Sequence, residues 1–176
     1  TYTVTSSFSA GWATSPRSGI GKSYMFSFEF KIDTNAPTMN NVSTSSTGKY
    51  TNSSTYVYAS DSMSGVDSIY MKAPGSSSYG NMGTSTTVSS SGKSGLYSFY
   101  AKDKAGNISR TYFLYLDTVK PTGTIKNSNG TEITGNYTNQ AFSYTASDGG
   151  SGISYLQYKK PGSSSWLTYT SGTSIS

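Results

Sequence analysis

Cysteine and histidine are both absent from the 176 residues of this chain. Without cysteine there is no disulfide, no thioester crosslink and no thiolate metal site. Without histidine, the Ser-His-Asp and Cys-His arrangements of covalent hydrolases are excluded, as are imidazole-bound zinc centres. Charge is scarce too: thirteen Lys and Arg and eight Asp and Glu make up 12% of the chain, for a net charge of +5. The bases are scattered, with Lys159 and Lys160 the only adjacent pair. A nucleic-acid site wants a stripe or a cluster, so no nucleic acid is expected as a partner. No apolar run approaches the roughly 18 residues of a membrane-spanning helix, and no membrane insertion is expected in this stretch. Nor does any window carry apolar residues at i, i+3, i+4 and i+7 over three turns, which leaves essentially no helix to expect.

What the chain does hold is Ser, Thr, Asn, nineteen Gly and sixteen Tyr. That is the profile of short strands joined by polar turns. Self-comparison gives their organisation. Asp33-Thr-Asn-Ala-Pro37-Thr38 returns as Asp117-Thr-Val-Lys-Pro121-Thr122, 84 residues later. From Tyr50 onward a second match runs without a gap at an offset of 87, with fourteen identities in the thirty positions 50–79 and 137–166. Ala59-Ser-Asp61 returns as Ala146-Ser-Asp148, Ser64-Gly-Val66 as Ser151-Gly-Ile153, and Pro74-Gly-Ser-Ser-Ser78 as Pro161-Gly-Ser-Ser-Ser165.

Residues 33–116 form one whole unit of about seven strands. Thr55, Val57 and Ala59 share one strand face, and Ile69 and Met71 the buried face of the next. A closing strand is expected over Ile108–Leu116, with Arg110, Tyr112, Leu114 and Leu116 on one side and Thr111, Phe113 and Tyr115 on the other. Asp103-Lys-Ala-Gly106-Asn107 before it is a tight turn. Pro121 after it ends the strand, because proline cannot donate to a ladder. Residues 117–176 repeat the first strands of the unit but not the last two. Residues 1–32 align weakly with the last strands of a preceding unit, with 3–7 matching 87–91 and Tyr24–Ile32 matching Ile108–Leu116. The reading taken is a piece of a longer array; the alternative is that residues 1–32 complete residues 117–176, in the same chain or a neighbouring one.

The spaced residues Asp-x-x-x-Pro-Thr, Tyr-Thr-Asn, Ala-Ser-Asp-x-x-Ser-Gly and Gly-x-Tyr-x-Phe-x-Ala-x-Asp-x-Ala-Gly-Asn-x-Ser resemble bacterial immunoglobulin-like repeats. The match covers residues 33–176 well and 1–32 weakly, departing over 11–22. The resemblance implies an all-β fold of tandem Ig-like antiparallel sandwiches. It also implies an extracellular setting, in a secreted or surface-anchored protein of bacteria, and a framework role for Gly95, Tyr97, Phe99, Ala101, Asp103, Ala105, Gly106 and Asn107. Trp166 and Tyr169 stand at the family's W-x-x-Y.

Three chemistries are open to residues of these types. Some similar adhesins bind calcium at repeat junctions, and Asp103, Asn107 and Asp117 would be the ligands here. Calcium takes six to eight oxygens, and each junction offers only one or two carboxylates, so no cofactor is expected. A glycosidase needs two carboxyls across a cleft, which the turn-bound acids do not supply, so no enzyme is expected. Aromatic binding is the third, with Trp12, Arg17 and Met25 in the departing segment and Tyr56, Tyr58 and Tyr70 on outward strand positions as candidate partner residues. The function expected is a non-enzymatic stalk or adhesion module that contacts neighbouring repeats. Its alternatives are a host-protein binder, of immunoglobulin or matrix for example, and an accessory glycan-binding module of a secreted enzyme.

Overall fold

The structure is a computed structural model that describes the backbone of residues 2–8 and 24–30, and residues 31–133 and 139–175 with their side chains. Every regular element among the described residues is a strand. β1 (Tyr2–Phe8) and β2 (Tyr24–Phe30) pair antiparallel, with Tyr2 opposite Phe30 and Phe8 opposite Tyr24. Eight strands then build a two-sheet sandwich: β3 (Thr38–Asn40), β4 (Lys49–Thr51), β5 (Thr55–Ser60), β6 (Val66–Lys72), β7 (Gly80–Asn81), β8 (Ser85–Val88), β9 (Gly95–Asp103) and β10 (Tyr112–Leu116). One sheet has the order β3-β5-β8 and the other β4-β10-β9-β6-β7. All ladders are antiparallel except that of β4 with β10. This strand order is that of an immunoglobulin-type sandwich, with β6, β9 and β10 in the places of strands C, F and G.

The alternation read from the sequence sets the core. Val57, Ile69, Phe99, Leu114 and Leu116 are fully buried between the sheets. Burying each such side chain is worth about 1.5–3 kcal/mol before the entropy of ordering is charged against it. Tyr97, at the start of β9, donates its hydroxyl to the Lys93 carbonyl at 2.9 Å. That back-bond from strand F is the tyrosine corner of immunoglobulin-type sandwiches.

Three expectations are corrected. The closing strand starts at Tyr112, not Ile108, and Ile108 makes only an isolated bridge to Lys102. The unit also has eight strands, because Lys49–Thr51 adds a parallel edge beside β10. The alignment of residues 3–7 with the β8 region is likewise not what the ladders follow. β8 pairs with β5 in the opposite sheet from β10, whereas β1 pairs directly with β2.

Strands β11 (Thr122–Asn127), β12 (Phe142–Ser147), β13 (Leu156–Tyr158), β14 (Leu167–Tyr169) and β15 (Ser174–Ile175) follow. Their pairs are the earlier ones moved by the sequence offsets. Thr38 opposite Ser60 becomes Thr122 opposite Ser147, Thr55 opposite Val88 becomes Phe142 opposite Ile175, and Tyr70 opposite Asn81 becomes Gln157 opposite Thr168. Burial differs: Leu156 and Tyr158, the counterparts of Ile69 and Met71, are half-buried, and Tyr169 is the buried apolar residue of this part.

Candidate functional site

Three acids gather where strands of the sandwich begin and end. Asp33 precedes β3, Asp61 follows β5 and Asp103 closes β9. One carboxylate oxygen of each lies within 4.8 Å of the other two. Asp33 accepts the N–H groups of Asn35 and Ser64, each at 2.9 Å. Asp61 Oδ1 accepts those of Met63 at 3.0 Å and Gly65 at 2.8 Å, the short-range bonds that make Asp a turn residue. Asp103, almost fully buried, accepts the Asn107 backbone N–H and the Asn107 side-chain amide, both at 2.7 Å. The same amide donates to the Asp33 carbonyl at 3.0 Å, tying the last turn of the sandwich to the segment that enters it. Gly106 allows the turn, with φ at +99°.

These bonds set the electrostatics. The Ser64 hydroxyl, with the N–H groups of Asn35 and Ser64, holds the Asp33 carboxyl below its ordinary range. The hydroxyl itself is buried and makes no hydrogen bond of ordinary geometry, so the two N–H bonds are the firm part of this account. Burial pushes the Asp103 carboxyl up, but the bonds from Asn107 and Gly106 outweigh it and the net displacement is downward. Asp117 is held below its ordinary range by the Ser151 hydroxyl and N–H and by the Val119 N–H.

Calcium takes six to eight oxygens; the structure brings three carboxylates to this junction, more than the one or two expected, and each of them already accepts N–H donors. Asp117, read from the sequence together with Asp103 and Asn107, lies apart from them. It braces a second turn, where Asp117 Oδ2 accepts the Ser151 N–H at 2.6 Å and Asp148 Oδ1 accepts those of Gly150 and Gly152, both at 2.9 Å.

Asp117 also belongs to the sandwich before it. Its backbone N–H donates to the Thr51 carbonyl at 2.9 Å, and the Thr118 hydroxyl meets that of Ser94 at 3.1 Å. The segment between β10 and β11 is therefore held from both sides.

Of the aromatic candidates, Tyr56 and Tyr58 stack at 5.6 Å on the outer face of the β3-β5-β8 sheet, 54% and 39% exposed. Tyr70 belongs to the other sheet, where it stacks on Tyr100 at 4.7 Å. The three do not form one site. Trp12 and Arg17 lie outside the described residues, and Met25 falls in β2, where only the backbone is described. Sequence reasoning missed Asp33 and Asp61 as neighbours of Asp103, although the return of both at Asp117 and Asp148 was a signal of shared work. It also missed Tyr79 and Tyr100 as surface residues. Comparison of the chain with family models, curated proteins and solved structures finds no match.

Proposed function

We propose that this chain is a non-enzymatic stretch of immunoglobulin-like repeats from a secreted or surface-anchored bacterial protein, a stalk that spaces and presents binding surfaces. One observation carries this reading: Asp117 bonds one sandwich through its backbone N–H and braces the next turn through its carboxylate. A residue shared in this way leaves the five-residue segment Asp117–Pro121 little freedom to bend, which a spacer requires and a pair of independent domains does not. The same aspartate at position 33 braces Ser64, so the device recurs with the repeat. The turn acids serve as hydrogen-bond acceptors within the fold, which is consistent with a role other than catalysis.

Small-angle X-ray scattering of the 176-residue chain tests the proposal. The native chain is expected to give a narrow distance distribution, and Asp117→Ala a broader one with a larger spread of maximum dimensions. Asp61→Ala, which loosens a turn inside one sandwich, serves as the control. Coincident curves for native and Asp117→Ala protein would sink the braced-spacer reading.

A further inference from the structure

The outer face of the β4-β10-β9-β6-β7 sheet carries a diagonal strip of aromatic rings. Tyr50 of β4 stands opposite Tyr115 of β10, with ring centroids 5.3 Å apart. Two residues back along β10, Phe113 stands opposite Ser98 of β9. Two residues further along β9, Tyr100 stands opposite Tyr70 of β6, the two rings stacked at 4.7 Å and 10°. Tyr79 meets Tyr100 edge-on at 4.9 Å. Tyr97, Phe99, Ala101, Tyr112 and Leu114, at the alternate positions, are buried, so the strip faces away from the core. From Tyr115 to Tyr100 is one strand across and four residues along, about 14 Å between Cα atoms. The strip is long enough for several rings of a chain-like ligand.

Its chemistry selects the ligand. Five of the six rings bear hydroxyls, and exposed Asn81 lies beside them, its amide donating to the buried Ser68 Oγ at 3.3 Å. A protein hot spot centres on a dry pocket that an anchor side chain fills, whereas here Tyr50 is exposed, the other five rings are half-buried, and five of the six carry hydroxyls. Sugar rings match it: their C–H faces lie on aromatic rings and their hydroxyl rims reach the asparagine amide and the tyrosine hydroxyls. The stacked pairs hold one another in place, so binding orders little that is not already ordered. The charge is complementary to an acid. Lys72 sits 5.3 Å from the Tyr79 ring and opposite Ser98, and Lys102 occupies the next face position beyond Tyr100. Asp67 stands at the bulged end of β6, its carboxylate turned to Ser68 Oγ at 3.4 Å.

We propose that this strip binds a carboxylated polysaccharide, its sugar rings laid along Tyr50, Tyr115, Phe113, Tyr100, Tyr70 and Tyr79 and its carboxylates against Lys72 and Lys102. The site is separate from the spacer role: a stalk with bare sides would leave the Asp117 result intact and fail only here.

The test is titration of the 15N-labelled 176-residue chain with a short oligogalacturonate, the same oligomer methyl-esterified, and poly-glutamate, with affinities from calorimetry. The oligogalacturonate is expected to shift amides of β4, β6, β9 and β10. Tyr70→Leu and Tyr115→Leu, at opposite ends of the strip, each weaken binding about fivefold or more. Lys72→Gln weakens it about threefold, with the difference shrinking in salt. Unchanged dispersion of the remaining amides shows that a variant is folded, and if one tyrosine variant unfolds the other carries the test. Absence of oligogalacturonate binding overturns the proposal, as does binding that both tyrosine variants leave intact. Equal affinity for the esterified oligomer overturns the acidic assignment. Equal affinity for poly-glutamate reduces the site to ion exchange and overturns the carbohydrate assignment.

Discussion

Met39 and Val57 share the core of the first sandwich, and at the matching positions further along the chain stand Gly123 and Tyr144. A Cβ on Gly123 would come within 2.0 Å of Tyr144 Oη and 2.5 Å of the ring, so glycine is what lets the larger ring lie across β11. Gly123→Ala is expected to destabilise this part of the chain by about 1–3 kcal/mol, the usual cost of overpacking. Amide exchange in β11 and β12 measures it, and unchanged exchange would mean that the ring swings aside freely. The hydrogen-bonded acids give a second prediction at this scale. Asp33, Asp103 and Asp117 have folded carboxyls below their ordinary range, so between the folded and unfolded values the unfolded chain binds more protons. Their contribution is complete above the unfolded value of about 4 and is lost as pH falls through the folded ones. The thermal midpoint is therefore expected to hold from about pH 7 to 5 and to fall below about 4. Asp103→Asn places an amide donor against the donors of Asn107, so it should lower the midpoint at neutral pH and flatten the acid slope. An acid slope parallel to the native one would remove Asp103 from the account.

At the scale of elements, the closing hairpin shows how a strand that reads well can still be mis-bounded. Tyr112, Leu114 and Leu116 are buried and Phe113 and Tyr115 half-buried on the other face, as their alternation says. The pairing does not extend back to Ile108, because Lys102 pairs with Ile108 while Phe99 pairs with Tyr112, a slip of one residue. Ser109 fills the slip. Its hydroxyl accepts the Ala101 N–H at 2.9 Å and donates to the Arg110 carbonyl at 2.9 Å, replacing a ladder bond with a side chain. Ser109→Ala leaves the N–H of fully buried Ala101 without this acceptor, and a loss of about 1–3 kcal/mol in urea unfolding is expected. A loss below about 0.5 kcal/mol, the range of a neutral surface change, would show that the bulge does not depend on the hydroxyl. Periodicity could not announce this, since one serine carries no period. β4 was illegible for a related reason: its three residues are too few to alternate, and parallel pairing is specified by β10, far along the chain. The Asp33, Asp61 and Asp103 cluster escaped for want of any local signal that three separate turns converge. The turn roles of Asp61 and Asp148 were legible because their partners lie two and four residues away.

Over the whole molecule, identical registers coexist with unequal burial. Ile69 is fully buried because β9 pairs along β6 and places Phe99 and Ala101 in the same core, whereas its counterpart Leu156 is half-buried in the short strand β13, whose one ladder is to β14. The two parts thus share hydrogen-bond geometry but not the apolar area removed from water, and area dominates the free energy. Amide exchange of the 176-residue chain should resolve them, with β6, β9 and β10 exchanging about a hundredfold more slowly than β12 and β13, as expected of separate cooperative units. The linker makes this a demanding prediction, because Asp117 bonds to Thr51 on one side and Ser151 on the other and could couple the two. If the coupling is strong, Asp117→Ala will accelerate exchange in β12 and β13 while leaving β9 unchanged. Equal protection throughout the native chain would instead mean that both parts open together, and the brace would then join the sandwiches into one folding unit as well as limit their bending.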